Sequence, residues 1–148
     1  APNRSRAAGK SVFFLEPPGV GLLAFANGPI HEQVTMLTQV VRHREEGLAD
    51  IQRLDEAWSH RELSRVGPLY EKCVRQCPRT YAALLDDRNK IWMPKLLRLA
   101  KSGKKALAIV GMLHMQGPNN LLALLERAGH KCDLVETDRS ATLGEFRQ

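Results

Sequence analysis

Apolar residues recur at intervals of three and four over most of this 148-residue chain, and three short stretches read as strands instead, the clearest being the unbroken apolar run 106–110. Intervals of three and four place side chains on one face of an α-helix, whereas a run of four to eight bounded by turn formers reads as a buried strand. From His31 onward, Val34, Leu37 and Val41 make one helical face, and Leu48, Ile51, Leu54 and Trp58 make a clearer one over residues 45–58. Ser59-His60-Arg61-Glu62 has the form of a capping box, in which Ser59 and Glu62 would satisfy the free amides that open a new helix. That helix would carry Leu63, Val66, Tyr70, Cys73 and Cys77, with an irregularity at Gly67-Pro68, and would stop at Pro78. Further helices are expected over residues 80–100 and from Leu121, the second closed by Gly129. The pattern assigns no type to the apolar piece 20–26.

The strand-like runs lie near 11–16, 106–110 and 132–136. The first is stopped by Pro17-Pro18-Gly19, with Glu16 at its carboxyl end. The second is released by Gly111, with His114 three residues on, and Gly117-Pro118-Asn119-Asn120 follows. Strand, helix and strand in this order predict a right-handed βαβ unit, hence an α/β fold with a small, mostly parallel sheet flanked by helices. In such sheets ligands bind beyond the carboxyl ends of the strands, which is where His114 would stand. Three strands leave an edge to be covered, so another part of the polypeptide or a second copy is expected to complete the sheet. Residues 1–9 are polar, small and unpatterned and read as a flexible arm before a single domain over residues 10–148.

The helix over residues 80–100 carries an unusual inward face. Its stripe runs Tyr81, Leu84, Leu85, Trp92, Leu96 and Leu99, and a 100° step per residue places Arg88 and Asn89 inside it. Asp87 and Lys90 fall outside the stripe, and Pro94 lies on the outward side, where a kink is tolerable. An inward arginine needs a carboxylate, carbonyls or a bound anion, because an unpaired buried charge costs several kcal/mol. A structural ion pair and a guanidinium aimed into a site satisfy that need equally.

Composition narrows the classes. The chain is 43% hydrophobic and 26% charged, enough for one packed domain. No segment approaches the roughly 20 apolar residues of a membrane span. The net charge of +6 comes from scattered basic residues that no aromatics interleave, so no nucleic-acid surface is expected. His31-Glu32 invites comparison with His-Glu-x-x-His, but the fifth position is Thr35 and the second ligand is missing. Cys73 and Cys77 share a helix face, where a disulfide fits poorly, so core thiols are expected there and at Cys132; their redox state stays open.

With Leu15-Glu16, Pro29-x-x-Glu32-Gln33, Arg88-Asn89, Gly111-x-x-His114-x-x-Gly117 and Leu124-x-x-x-Ala128-Gly129 in order, the chain resembles the TraB/GumN family over about residues 10–136. This group includes the Tiki metalloproteases and is related to the erythromycin-esterase and ChaN-like folds. The resemblance implies an α/β domain with a divalent-metal (Mn, Co or Zn) hydrolase-like site acting on peptide or protein substrates, in a periplasmic, secreted or cell-envelope setting. His114 would be a metal or catalytic ligand and Glu16 a ligand or proton shuttle. Arg88 and Asn89 would orient substrate or carboxylate, and Gly111 and Gly117 would be structural glycines of the site. The family pattern has two Gly-x-x-His motifs, and only the second is matched; Gly21 also stands where relatives often have glutamine. The chain therefore reads as the C-terminal half of such a domain, lacking an N-terminal half or pairing with a second copy. One histidine and one glutamate are too few for a catalytic zinc, which usually has three protein ligands. A non-catalytic binding or regulatory protein, of the kind connected with pheromone shutdown, is the alternative.

Overall fold

The computed structural model describes residues 2–133, and among them every regular element is helical. In order these are α1 (Pro2–Ala7), α2 (Val20–Ala26), α3 (Ile30–Arg42), α4 (Arg44–Ser59), α5 (Gly67–Gln76), α6 (Pro78–Tyr81), α7 (Arg88–Lys101) and α8 (Leu121–Arg127). A π-helical stretch, Ala82–Asp87, joins α6 to α7, and short 3₁₀ turns span Leu63–Arg65 and Met112–Met115. The residues expected to form an arm thus include the six-residue α1, and the unassigned apolar piece is α2.

The expected α/β architecture, half of an erythromycin-esterase/ChaN/Tiki-like fold with a small parallel sheet, is overturned: no strand occurs among the described residues. The runs 11–16 and 106–110 form neither helix nor strand and have no neighbouring strand among the described residues. Phe13, Leu107 and Ile109 are 77%, 86% and 76% exposed, where a buried strand would hide them. The physical reason is that a strand is defined by its neighbour's hydrogen bonds, and an apolar run cannot supply that neighbour. The third run begins at Cys132, and its residues 134–136 lie outside the described residues.

The helices follow the hydrophobic pattern more closely. Asn120 caps α8 by accepting from the Ala123 amide at 2.9 Å, and the chain leaves it at Gly129 (φ 85°), whose amide and that of His130 close back on Glu126 and Leu125. The capping box does not form. Ser59 is the last residue of α4, the Glu62 amide donates to the Ala57 carbonyl at 2.8 Å, and Pro68 in its first turn opens α5 instead.

Buried positions are few and unusually polar. Trp92, Met93 and Leu121 form the centre, with Leu15, Val110 and Met115 packed against it. Glu32, Thr80, Asn89 and His114 are also buried. The Glu32 carboxylate accepts the Arg79 and Thr80 amides at 3.0 and 2.7 Å, satisfying the free N–H groups that open α6. Burial pushes its pKa up, but Thr80, first, and the Arg79 amide outweigh burial and hold the carboxyl below its ordinary range. Its stabilising effect is therefore present above the ordinary carboxylate pKa and is lost as pH falls below it. Gln33 ties down the preceding turn, donating to the carbonyls of Ala26 and Gly28. Cys73, Cys77 and Cys132 are free thiols; Cys77 is buried and donates weakly to the Glu32 carbonyl.

Gly117 shows how tightly the loop before α8 is held. Its φ is 79°, and a Cβ there would run into the Tyr70 hydroxyl. Gly117→Ala is expected to cost about 2–4 kcal/mol in urea unfolding, from the left-handed backbone and the clash together. In a double-mutant cycle Tyr70→Ala should remove the steric share and leave the backbone share. An additive cycle would show that the two residues do not meet.

Candidate functional site

Three separated pieces of chain converge beside Trp92: the end of the run 11–16, the start of α7, and the Met112–Met115 turn. The π-helical stretch and α7 together turn Arg88 and Asn89 inward, as the 100° step predicts, leave Asp87 and Lys90 exposed, and keep Pro94 on the outside.

Asn89 is fully buried and decides the state of His114. Its Nδ2 donates to the Asn119 carbonyl at 2.9 Å and to the His114 carbonyl at 3.4 Å. Its Oδ1 is therefore the atom that faces His114 Nδ1, at 2.7 Å, and only an Nδ1–H can answer it. The imidazole proton sits on Nδ1, and Nε2 keeps its lone pair with no protein partner among the described residues. Burial, then the nearby Arg88 cation, lower the His114 pKa to about 4, against a smaller opposing pull from Glu16. The ring is neutral at physiological pH. The carbonyl that Asn89 reads is itself anchored, because Asn119 Nδ2 donates to Asp86 at 2.9 Å.

Arg88 has its inward charge answered by a carboxylate and a carbonyl. Its Nε and Nη2 grip Glu16 at 3.0 and 2.7 Å in a two-pronged ion pair, and Nη1 donates to the Leu84 carbonyl at 2.9 Å. Trp92 Nε1 adds a third bond to Glu16 at 2.9 Å, while its ring lies 5.0 Å from the guanidinium carbon and 4.4 Å from the His114 ring. Arg88, first, and Trp92 hold the Glu16 carboxyl below its ordinary pKa despite partial burial. Lys95 steadies the approach by donating to the carbonyls of Phe14 and Leu15. Two of the five guanidinium N–H bonds have no partner among the described residues. Gly21 lies against the guanidinium, where a Cβ would stand 3.5 Å from three of its atoms, an ordinary van der Waals contact.

Both groups border one open groove of about 520 Å³. Its walls are Phe25 of α2, Met36 of α3, Leu54 of α4, then Tyr81, Leu84 and Leu85, with Gly111, Met112 and Leu113 beside His114. Apart from Arg88 and His114 the lining is apolar or, at Tyr81, phenolic. Burial, first, pushes the Tyr81 hydroxyl up, so it stays neutral. The model of the TraB/PrgY/gumN family matches residues 3–133 of the sequence.

The chain belongs to the TraB/PrgY/gumN family. No curated protein and no solved structure matches it.

In this TraB/PrgY/gumN chain the structure gathers Glu16, Arg88, Asn89 and His114 into one cluster. Gly111 has an extended backbone (φ −66°, ψ 143°) and an ordinary 3.8 Å approach to His114, whereas Gly117 holds the next loop against Tyr70. A resident metal does not fit the donors that are described. No group of three or more His, Cys, Asp or Glu residues that could hold an ion occurs among the described residues, and both Glu16 oxygens are already engaged. Trp92, Asp86 and Asn119 went unnoticed as site residues in the sequence. Trp92 alone had a signal, standing one helical turn beyond Arg88 in the same stripe. Among the described residues no helix is long and apolar enough to cross a membrane.

The shifted histidine generates a test. The His114 C2–H resonance should stay flat from pH 8 to pH 5.5, while an ordinary histidine titrates near 6.5. Because its folded pKa is depressed, His114 stabilises the fold fully above about 6.5 and loses on the order of 3 kcal/mol as pH falls toward 4. Asn89→Asp should raise the His114 pKa by about 1–3 units, since a carboxylate at 2.7 Å favours the imidazolium. An unchanged titration in that variant would dissolve the Asn89–His114 link.

Proposed function

We propose that this chain is a binding domain of its family, holding a ligand in the groove with Arg88 and His114 as the two polar groups that read it. One observation carries the reading. Arg88 and His114 line the same apolar groove, and among the described residues neither His114 Nε2 nor two of the Arg88 N–H bonds has a partner. A histidine of pKa about 4 is a constant hydrogen-bond acceptor but a weak general base, because efficient proton transfer asks for a pKa near the working pH. Glu16 could take a substrate proton only by leaving Arg88 and Trp92.

The second reading is the metal-dependent, peptidase-like hydrolase that the family resemblance implies. The observation favouring it is the same Asn89–His114 bond, since a neutral imidazole with its tautomer set by a partner on the other nitrogen is what a metal-binding histidine needs. It requires further donors that the described residues do not supply, whether from other polypeptide or from a second copy.

The two separate in one experiment. A mixed fluorogenic peptide library is incubated with the chain and Mn²⁺, Co²⁺ or Zn²⁺ in turn, with methionine methyl groups carbon-13 labelled. Binding predicts shifts at Met36 and Met112 on the groove and no turnover that His114→Ala removes. Turnover abolished by that substitution would replace the binding reading with the hydrolase. Still methyl signals without turnover would overturn both.

A further inference from the structure

Helix α4 turns an apolar face to solvent. Leu54 lies on the groove, but Leu48, Ile51 and Trp58 are 50%, 62% and 43% exposed. With Arg44 and Asp55 they follow one another at steps of four, three, four and three. That alternation averages 3.5 residues and draws one seam along a helix, the pattern by which a second helix packs along it. The two charges in the seam are exposed, and neither makes an ion pair among the described residues. Glu46, Asp50, Arg53 and Glu56 of the same helix are all paired. Gly47 adjoins the seam. A glycine inside a helix is less favourable than an alanine, and a Cβ here would meet nothing within 4 Å. Nothing within the fold calls for that glycine, whereas a helix approaching closely along the seam does. Helix α3 has a similar exposed stripe, Ile30, Val34, Leu37 and Val41, but no charge within it to fix a register or a direction.

The placing of the two charges selects the occupant. Arg44 and Asp55 stand symmetrically about Leu48 and Ile51, four residues out on either side. They lie about 16 Å apart along the axis and cannot reach each other within one helix. An identical helix laid antiparallel along the seam brings Leu48 of each copy against Ile51 of the other. The same placement brings Arg44 of each copy against Asp55 of the other. A two-fold contact demands this reciprocity, residue i meeting j while j meets i. A parallel copy would set Arg44 beside Arg44 and Asp55 beside Asp55, and facing like charges repel. We propose that α4 is a self-recognition face, on which two copies of the chain join antiparallel through Leu48 and Ile51, with Arg44 and Asp55 paired twice. The contact does not depend on what the groove holds.

Sedimentation equilibrium of the whole chain, from about 10 μM to about 1 mM, should show a monomer–dimer equilibrium that weakens as salt is raised. Ile51→Glu should remove the dimer. Arg44→Asp or Asp55→Arg alone turns two attractive contacts into two repulsive ones and should weaken dimerisation about tenfold. The two substitutions together restore opposite charges across the seam and should return the affinity to within about threefold of the parent. The substituted positions are exposed, so far-ultraviolet circular dichroism should show an unaltered helix content. The charge series carries the test even if Ile51→Glu fails to fold. A monomer throughout the concentration range, or a dimer unaffected by a folded Ile51→Glu, would overturn the proposal. So would a doubly substituted chain that dimerises no better than the single variants. Loss of the dimer with Leu37→Glu and not with Ile51→Glu would move the contact to α3 and overturn it equally.

Discussion

One buried carboxamide, that of Asn89, joins the start of α7 to a loop 25 to 30 residues further along the chain. It sits at the start of α7 and reaches the His114 ring, the His114 carbonyl and the Asn119 carbonyl at once. A carboxamide has its donors on one atom and its acceptor on the other, so two carbonyls on one side leave only one orientation. That orientation places the proton on His114 Nδ1 and leaves Nε2 open. The buried amide is thus a structural bond and a chemical setting together, and losing it would leave buried carbonyls without donors.

The charge arrangement follows from the neighbouring position. Arg88 enters the same interior one residue earlier, where its charge has to be answered, and Glu16 answers it with both oxygens while Trp92 holds the carboxylate from a third direction. Arg88 in turn disfavours a second cation and helps keep His114 neutral. The Arg88–Glu16 pair carries no net charge, and Arg88 and His114 line a groove of largely apolar side chains.

The residues that carry the family resemblance divide between two tasks. Glu16, Arg88, Asn89 and His114 meet around Trp92. Glu32 and Gln33 lie elsewhere, one capping the first amides of α6 and the other tying the turn between α2 and α3. Gly117 and Asn120 shape the loop that presents the Asn119 carbonyl to Asn89. A carboxylate in a family motif is therefore as much a helix cap here as a chemical group.

Periodicity alone determined most helices, the inward turn of Arg88 and Asn89, the outward Pro94 and the Gly129 stop, because each depends on steps of one to four residues along a single element. The same local reasoning placed a capping box at Ser59 and strands at 11–16 and 106–110. There the outcome depended on partners that no local pattern contains: a competing Ala57 carbonyl for the Glu62 amide, and a neighbouring strand that the described residues do not provide. The sequence also brought Glu16, Arg88, Asn89 and His114 forward as a set without saying how they meet. Only the tertiary structure decided that Glu16 belongs to Arg88, that Asn89 sets the tautomer of His114, and that Trp92, Asp86 and Asn119 complete the arrangement. These are contacts across 25 to 76 residues of chain, and hydrogen-bond direction and burial exist only once the chain has closed on itself.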